Sequence, residues 1–302
     1  MTNQQSQRPS RDALRDARPP HTSPERRPTT RRLIVRCVGH EAAPSSDSDD
    51  IAVEEPLEIR IASDPLATLM RTPGEDHFLT AGFLYSEGII TSLADLGKIA
   101  HCGRPTDAGF GNLVDVSPGP GGALAPELGS SGERRGVVSS ACGVCGRQSI
   151  DDLLARAAPL PDGPLIPAAA VRDSQKQLAA EQAAFSRTGA MHGALASDAA
   201  GRTIACSEDV GRHNAVDKVI GKLLFSGALS ESVQLADVLA VSGRSCFEIV
   251  QKAALARIAI VISVGAPTSL AIDLAQALSL TLIGFARGEN FNIYSAPERI
   301  AL

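Results

Sequence analysis

The C-terminal half of the chain shows the most regular pattern. Residues 238–241, 259–264 and 281–285 are short, almost wholly apolar runs. Runs of that length without alternation suit strands buried on both faces. Between them lie longer stretches of helical period, predicting helices over 174–186, 215–225, 247–256 and 269–278. Two further strands are predicted over 189–196 and 202–206, joined by a turn at 198–201. Strands alternating with helices predict an α/β layered sheet covered on both faces.

The N-terminal half is less periodic. Residues 50–61 (DIAVEEPLEIRI) alternate enough for one or two strands broken at Pro56. Pro73, Gly74, Glu75 and Asp76 open a helix that runs through Phe83 to Tyr85. A strand is predicted at 112–116, a Gly/Pro/Ser-rich loop at 117–135, a strand at 137–140 and a helix at 149–157. Pro159, Pro161, Pro164 and Pro167 mark a linker. The expected organisation has three parts. A disordered basic tail occupies 1–32, and a smaller mixed, β-containing domain occupies 33–160. A layered α/β domain occupies 161–302.

Composition narrows the classes. The 302 residues leave room for about two domains. Hydrophobic residues make up 43% and charged residues 21%, enough for a buried core, and six cysteines are too few for a disulfide-stapled miniprotein. Aromatics are 3% with no Trp, and net charge is −5, which together argue against a nucleic-acid binder. Residues 1–36 hold nine Arg against Asp12, Asp16 and Glu25, so the remainder carries −11. No run approaches the roughly 20 apolar residues of a membrane span. The N-terminus lacks the apolar core of an export signal. Reduced thiols in a cytosol are therefore expected.

Polar chemistry collects where the predicted strands end. Glu208 to Lys218 follows one strand, Ser242 to Cys246 a second, Gly265 to Ser269 a third, and Ala286 to Asn290 a fourth. Three of these loops set a Gly beside an Arg: Arg212, Arg244 (after Ser242 and Gly243) and Arg287. Glycine lets backbone amides approach a ligand, arginine forks onto phosphate oxygens, and helix N-termini add positive potential. A pocket for a phosphate-bearing, nucleotide-like ligand is expected at the carboxyl ends of the strands. His213, flanked by Arg212 and Asn214 ahead of a helix, is placed for ligand contact, and His192 shares a strand face with Ala190 and Ala194.

Cys142 and Cys145 form the CxxC of SSACGVCGRQS. Three readings stand: half of a zinc site, a dithiol redox pair, or a sulfur-carrying nucleophile. In the third, a Gly-rich loop before a helix exposes the thiol, and the helix dipole with Arg147 favours thiolate. Cys206 and Cys246 sit beside apolar stretches and read as small buried residues. A zinc deaminase needs HxE and then PCxxC. Here His192 is followed by Gly193 and Ala194, and the CxxC comes first, so that chemistry is disfavoured.

The stretches EEPLEIRI, EDHFLTAGFLYSEGII, SSACGVCGR, TGAMHGALA, EDVGRHNAVDKVIG, SGRSCFEIVQKA, GAPTSLAIDLA and GFARGENFNIY run in this order from about residue 52 to 295. In them the chain resembles the formate dehydrogenase accessory sulfurtransferases. The resemblance implies a cytidine-deaminase-like C-terminal α/β fold with no permanent metal, in a cytoplasmic homodimer. It implies that sulfur arrives as a cysteine persulfide from a cysteine desulfurase. The sulfur then passes to the molybdenum cofactor, bis(molybdopterin guanine dinucleotide), on its way to formate dehydrogenase. The cofactor is a bound substrate that guanine nucleotides would mimic. Cys142 matches the family's first CxxC cysteine and would carry the persulfide, with Cys145 assisting. Gly284, Phe285, Ala286, Arg287, Gly288, Glu289 and Asn290 match its cofactor-binding stretch. His192, Arg212, His213, Asn214, Lys218, Ser242, Gly243 and Arg244 would form pocket wall. The rival expectation is a non-enzymatic cofactor chaperone whose CxxC is structural or redox-active. Nucleic acid and membranes are not expected partners.

Overall fold

A computed structural model describes residues 27–36, 45–103, 107, 110–120, 124, 157–230 and 232–302. Cys142, Cys145 and the segments expected at 137–140 and 149–156 lie outside these residues, as does most of the 117–135 loop.

Six strands build the C-terminal sheet: β8 His192–Ser197, β9 Thr203–Asp209, β10 Val238–Val241, β11 Ile260–Ser263, β12 Thr281–Arg287 and β13 Asn290–Ser295, in the order β13-β12-β11-β10-β8-β9. β10, β11 and β12 run parallel, whereas β8 is antiparallel to both β10 and β9. β9 therefore points the same way as β10, and four strand ends open on one edge. Successive side chains alternate between faces. Leu239 and Val241 meet Val216, Val219, Ile220 and Leu223 of α4 (Arg212–Phe225). The same face is covered by α5 Phe247–Leu255 and α6 Ser269–Ala277. Val238 and Ala240 point the other way, where Val171 and Leu178 of α2 (Ala168–Glu181) cover Leu195, Ile260 and Ile262. The chain is thus a mixed α/β protein, with this sheet between helical layers, as the apolar runs imply.

The N-terminal unit is a second, four-stranded sheet of β3 Glu55–Ile61, β4 Asp64–Arg71, β5 Leu96–His101 and β6 Leu113–Pro118, ordered β4-β3-β6-β5. Its apolar face packs on α1 Asp76–Ser86 through Leu57, Ile59, Leu69, Leu79 and Leu84. Arg71 is fully buried and pairs with Asp76, Nε to Oδ1 at 2.8 Å, while its Nη2 donates to the Gly111 carbonyl.

Several boundaries differ from expectation. Thr29–Arg36 (β1) and Ser45–Ala52 (β2) form an antiparallel ribbon, so residues 29–32 are strand rather than tail. The break expected at Pro56 falls at 53–54. Pro56 sits inside β3 opposite Met70, ahead of Glu58, where pairing with β6 begins, so its missing N–H costs no bond to that strand. The helix expected over 174–186 is two helices, α2 and α3 (Ala183–Thr188), meeting at Gln182. The proline linker ends in β7 Ile166–Pro167, which pairs with β14 Ile300–Ala301. β4, β5 and β13 have no counterpart in the sequence reading. Each is half-exposed or interrupted, and β5 and β13 carry register shifts.

The two units meet through α1 and α4, which cross at closest approach on a pair of glycines. A Cβ on Gly82 would stand 1.8 Å from the Asp217 carbonyl oxygen, and one on Gly221 would stand 2.0 Å from that of Phe78. Around them, Lys252 of α5 pairs with Asp217 at 2.8 Å, and Ser86 donates to the same carboxylate. Gly221→Ala must push the helices apart, and we expect a loss of about 3 kcal/mol or more. Urea denaturation checks this; an unchanged midpoint would contradict the crossing.

Candidate functional site

The open edge of the six-stranded sheet gathers residues that are far apart in the chain. β9 ends at Asp209, and Gly211 leads into α4 at Arg212. β10 ends at Val241, and Ser242 to Ser245 lead into α5, whose N-cap is Cys246. His192 starts the antiparallel β8 opposite Asp209, which brings it to the same edge. The Ser242 hydroxyl accepts from the Gly193 N–H at 2.9 Å, and a Cβ on Gly243 would contact His192 and Arg212. Backbone bonds then step across the edge from Gly265 N–H to Gly243 O and from Phe285 N–H to Gly265 O. Arg287 closes the row, its Nε donating to the Val264 carbonyl at 3.0 Å. Arg244 and Arg287 are exposed and Arg212 is half-buried. Three guanidinium groups are thus carried by adjacent loops, the arrangement an anionic ligand needs.

Not every expected residue belongs to this edge. Asn214 and Lys218 are each 2% exposed. Lys218 Nζ lies 2.7 Å from Asp209 Oδ2 and donates to the carbonyls of Thr72 and Glu208. Asn214 Nδ2 donates to the Met70 carbonyl and to Asp209 Oδ1. Both side chains are spent joining the two units rather than lining the edge. The β12–β13 hairpin divides in the same way. Gly284 is buried in the sheet, and Phe285 is exposed at φ 54. Ala286, Gly288 and Asn290 line a cavity of about 190 Å³ beside α2 with Arg172 and Lys176. Glu289 pairs with Arg172 at 3.1 Å.

The edge also holds a thiol that the sequence reading treats as packing. Cys246 is half-buried, and its Sγ lies 3.1 Å from His213 Nε2, with Arg212 Nη2 at 3.9 Å. His213 Nε2 is 2.7 Å from Glu248 Oε2. Burial pushes the thiol up, but the bond and charge of His213, the Ile249 N–H and Arg212 outweigh it and hold Cys246 at about 7. Burial lowers His213, yet Cys246 and Glu248 raise it to about 9. At neutral pH the thiol is about half ionised beside a largely protonated imidazole. Cys206 provides the contrast: burial dominates there and pushes it up to about 12. Burial also lowers His192, helped by the charges of Arg212 and His213.

The donor atoms of His213, Cys246 and Glu248 lie within 4.8 Å of one another, a spacing that a metal ion could use. Arg212 beside the sulfur disfavours a dication and favours a bare thiolate. Cys246 and His213 are 33 positions apart, so no local motif announces the pair. The one available signal is a Cys at a helix start with an acid two residues on.

The fold and the edge define a layered α/β protein that carries Gly-Arg loops and a thiol–imidazole pair at one end of its sheet. The chain belongs to the FdhD/NarQ family, whose model matches residues 52–301. It is 51% identical over 257 residues to the sulfur carrier protein FdhD of Anaeromyxobacter dehalogenans strain 2CP-C, covering 84% of this chain and 89% of that one. It is 42% identical over 281 residues to the sulfur carrier protein FdhD of Streptomyces coelicolor, covering 91% and 97%. A crystal structure from Desulfotalea psychrophila, described as a formate dehydrogenase accessory protein, superposes with a TM-score of 0.71 at 25% identity. The match covers 91% of this chain and 100% of that one. Among the described residues, no helix is long and apolar enough to cross a membrane.

Three outcomes follow from this geometry. Lys218→Met leaves Asp209 buried without its partner and should cost about 3–5 kcal/mol in chemical denaturation. A stable variant would return Lys218 to the pocket wall. Iodoacetamide should modify Cys246 well ahead of Cys206 at pH 7, with a rate that rises through a midpoint near 7. The groups facing the thiol are Arg212 and His213 from α4 and, from its own helix, Glu248 and the Ile249 N–H. His213→Gln should move that midpoint upward, and an unmoved midpoint would remove the imidazole from the pair.

Proposed function

We propose that this chain is a sulfur carrier in the maturation of formate dehydrogenase. The observation that carries the reading is the gathering of Arg212, Arg244 and Arg287 at one sheet edge, in a chain whose relatives are named sulfur carriers. The edge binds the phosphate-rich guanine dinucleotide end of the molybdenum cofactor, which is the substrate rather than a resident group. His192, Ser242 and Gly243 complete its wall, and no permanent metal is required.

Cys142 is the sulfur-carrying nucleophile, with Cys145 assisting. Its thiolate attacks the outer sulfur of a cysteine desulfurase persulfide. The desulfurase S–S bond breaks, the electron pair leaves with the desulfurase thiolate, and Cys142 holds the sulfur as a new persulfide. The Cys145 thiolate then attacks the Cys142 sulfur. The Cys142–S bond to the outer sulfur breaks, and a Cys142–Cys145 disulfide forms. The outer sulfur leaves at the sulfide level to become a ligand of the cofactor's molybdenum before the cofactor enters formate dehydrogenase. A dithiol reductant restores the two thiols. On this reading the protein is a sulfurtransferase acting as a cytoplasmic homodimer.

Replacing Cys142 and Cys145 together by Ala should abolish activation of formate dehydrogenase and leave cofactor binding intact. Retained activation would favour the cofactor chaperone instead. Arg287→Ala should weaken guanosine diphosphate binding about tenfold or more, the scale of one lost charge-assisted bond. Calorimetry showing unchanged affinity would remove Arg287 from the pocket.

A further inference from the structure

The Cys246 cluster is not used by the chemistry above. Three of its features belong together. Cys246 is the N-cap residue of α5, with no side-chain capping bond, at the end where the helix dipole favours negative charge. His213 and Arg212 approach it at 3.1 and 3.9 Å from the start of α4. Glu248, one half-turn along α5, holds the same imidazole nitrogen at 2.7 Å. A cysteine that served only for packing would need none of these partners, and Cys206 has no imidazole or guanidinium bonded to its sulfur among the described residues. The sulfur is half-buried, two loop residues beyond Arg244 on the loop that presents that guanidinium to the edge. An accessible thiolate with cationic neighbours is the setting of a nucleophilic cysteine.

We propose that Cys246 is a second sulfur station, which accepts a sulfane sulfur from a cysteine persulfide and holds it at the sheet edge. The proposal rests on the sulfur-carrier reading and adds a place where sulfur waits beside the ligand loops. The Cys246 thiolate attacks the outer sulfur of the donor persulfide. The donor S–S bond breaks, and the donor leaves as a thiolate with the bonding pair. A new Sγ–S bond forms, and the proton of the donor persulfide stays with the transferred sulfur or is lost to water. Nothing is oxidised or reduced overall. The terminal sulfur of the product is more acidic than a thiol, so it carries negative charge. Arg212 and the His213 imidazolium stand ready to stabilise that charge, and Glu248 keeps the imidazole protonated and in place.

The donor is any cysteine persulfide, whether formed on this chain's CxxC or on a desulfurase. Peptide mass spectrometry on the full chain separates these sources. Wild-type protein, the Cys142→Ala, Cys145→Ala double variant and Cys246→Ser are each incubated with a cysteine desulfurase and cysteine. Parallel samples receive glutathione persulfide. The peptide containing Cys246 should gain one sulfur in the wild type and with glutathione persulfide, while the Cys206 peptide gains none. Label on Cys246 in the double variant identifies the desulfurase as donor. Label only in the wild type identifies the CxxC. His213→Gln should lower the yield on Cys246 severalfold at pH 7 and regain it at higher pH, which a merely structural role of His213 would not produce.

If the CxxC peptide is labelled and Cys246 never is, the second station is overturned and the carrier reading stands. If no peptide is labelled in any arm, both fail. Equal labelling of Cys206, or stoichiometric zinc that disappears in Cys246→Ser, would also overturn the proposal.

Discussion

A buried ion pair of the C-terminal unit anchors its junction with the N-terminal one. Lys218 on α4 and Asp209 at the end of β9 touch at 2.7 Å with both side chains essentially out of water. Such a pair is stable only when its remaining donors and acceptors are met. Here they are met by the other half of the chain. The Thr72 N–H donates to Asp209 Oδ2, the Thr72 carbonyl accepts from Lys218, and the Thr72 hydroxyl accepts from the Val210 N–H. Asn214 extends the contact to the Met70 carbonyl. The loop between β4 and α1 is therefore hydrogen-bonded to the turn that begins α4, and that turn positions Arg212 and His213. The glycine crossing of α1 on α4 keeps these elements close enough for the bonds to form.

The consequence reaches the edge. Asp209 Oδ1 also accepts the Gly211 N–H, so the same carboxylate fixes the residue that leads into α4. From there each loop leans on the next, through Gly243, Gly265 and Arg287. Rigid strands set the spacing of the backbone that carries the three arginines, of which Arg244 and Arg287 are exposed. Backbone held in this way needs less ordering on binding than backbone on long loops.

The sequence made the C-terminal layers legible because fully apolar strands and amphipathic helices have distinct periods. Residues 238–241 match β10, and the other strand and helix limits there shift by a few residues. It also pointed to the strand ends as the place for polar chemistry. It could not separate Lys218 and Asn214 from Arg212 and His213. All four lie in EDVGRHNAVDK, and only the helical turn decides which point inward to Asp209 and Met70. Cys246 was hidden for the opposite reason. An apolar stretch follows it in the chain, and the imidazole that changes its chemistry comes from another helix. The contrast with Cys206 is electrostatic: both are partly buried thiols, and the bonded neighbours decide whether charge is tolerated. β5 and β13 escaped notice because bulged or half-exposed strands lose the strict alternation that marks them.

We propose that four loops at one sheet edge act together as the seat of a guanine nucleotide end. Hydrogen–deuterium exchange on the full chain, with and without guanosine diphosphate, tests it most directly. Slower exchange is expected on binding in residues 209–214, 242–246, 264–268 and 284–288, with the remaining described strands unchanged. Protection confined to the cavity of about 330 Å³ lined by Thr72, Glu75, Met191 and Lys222, or none at the four loops, would contradict it.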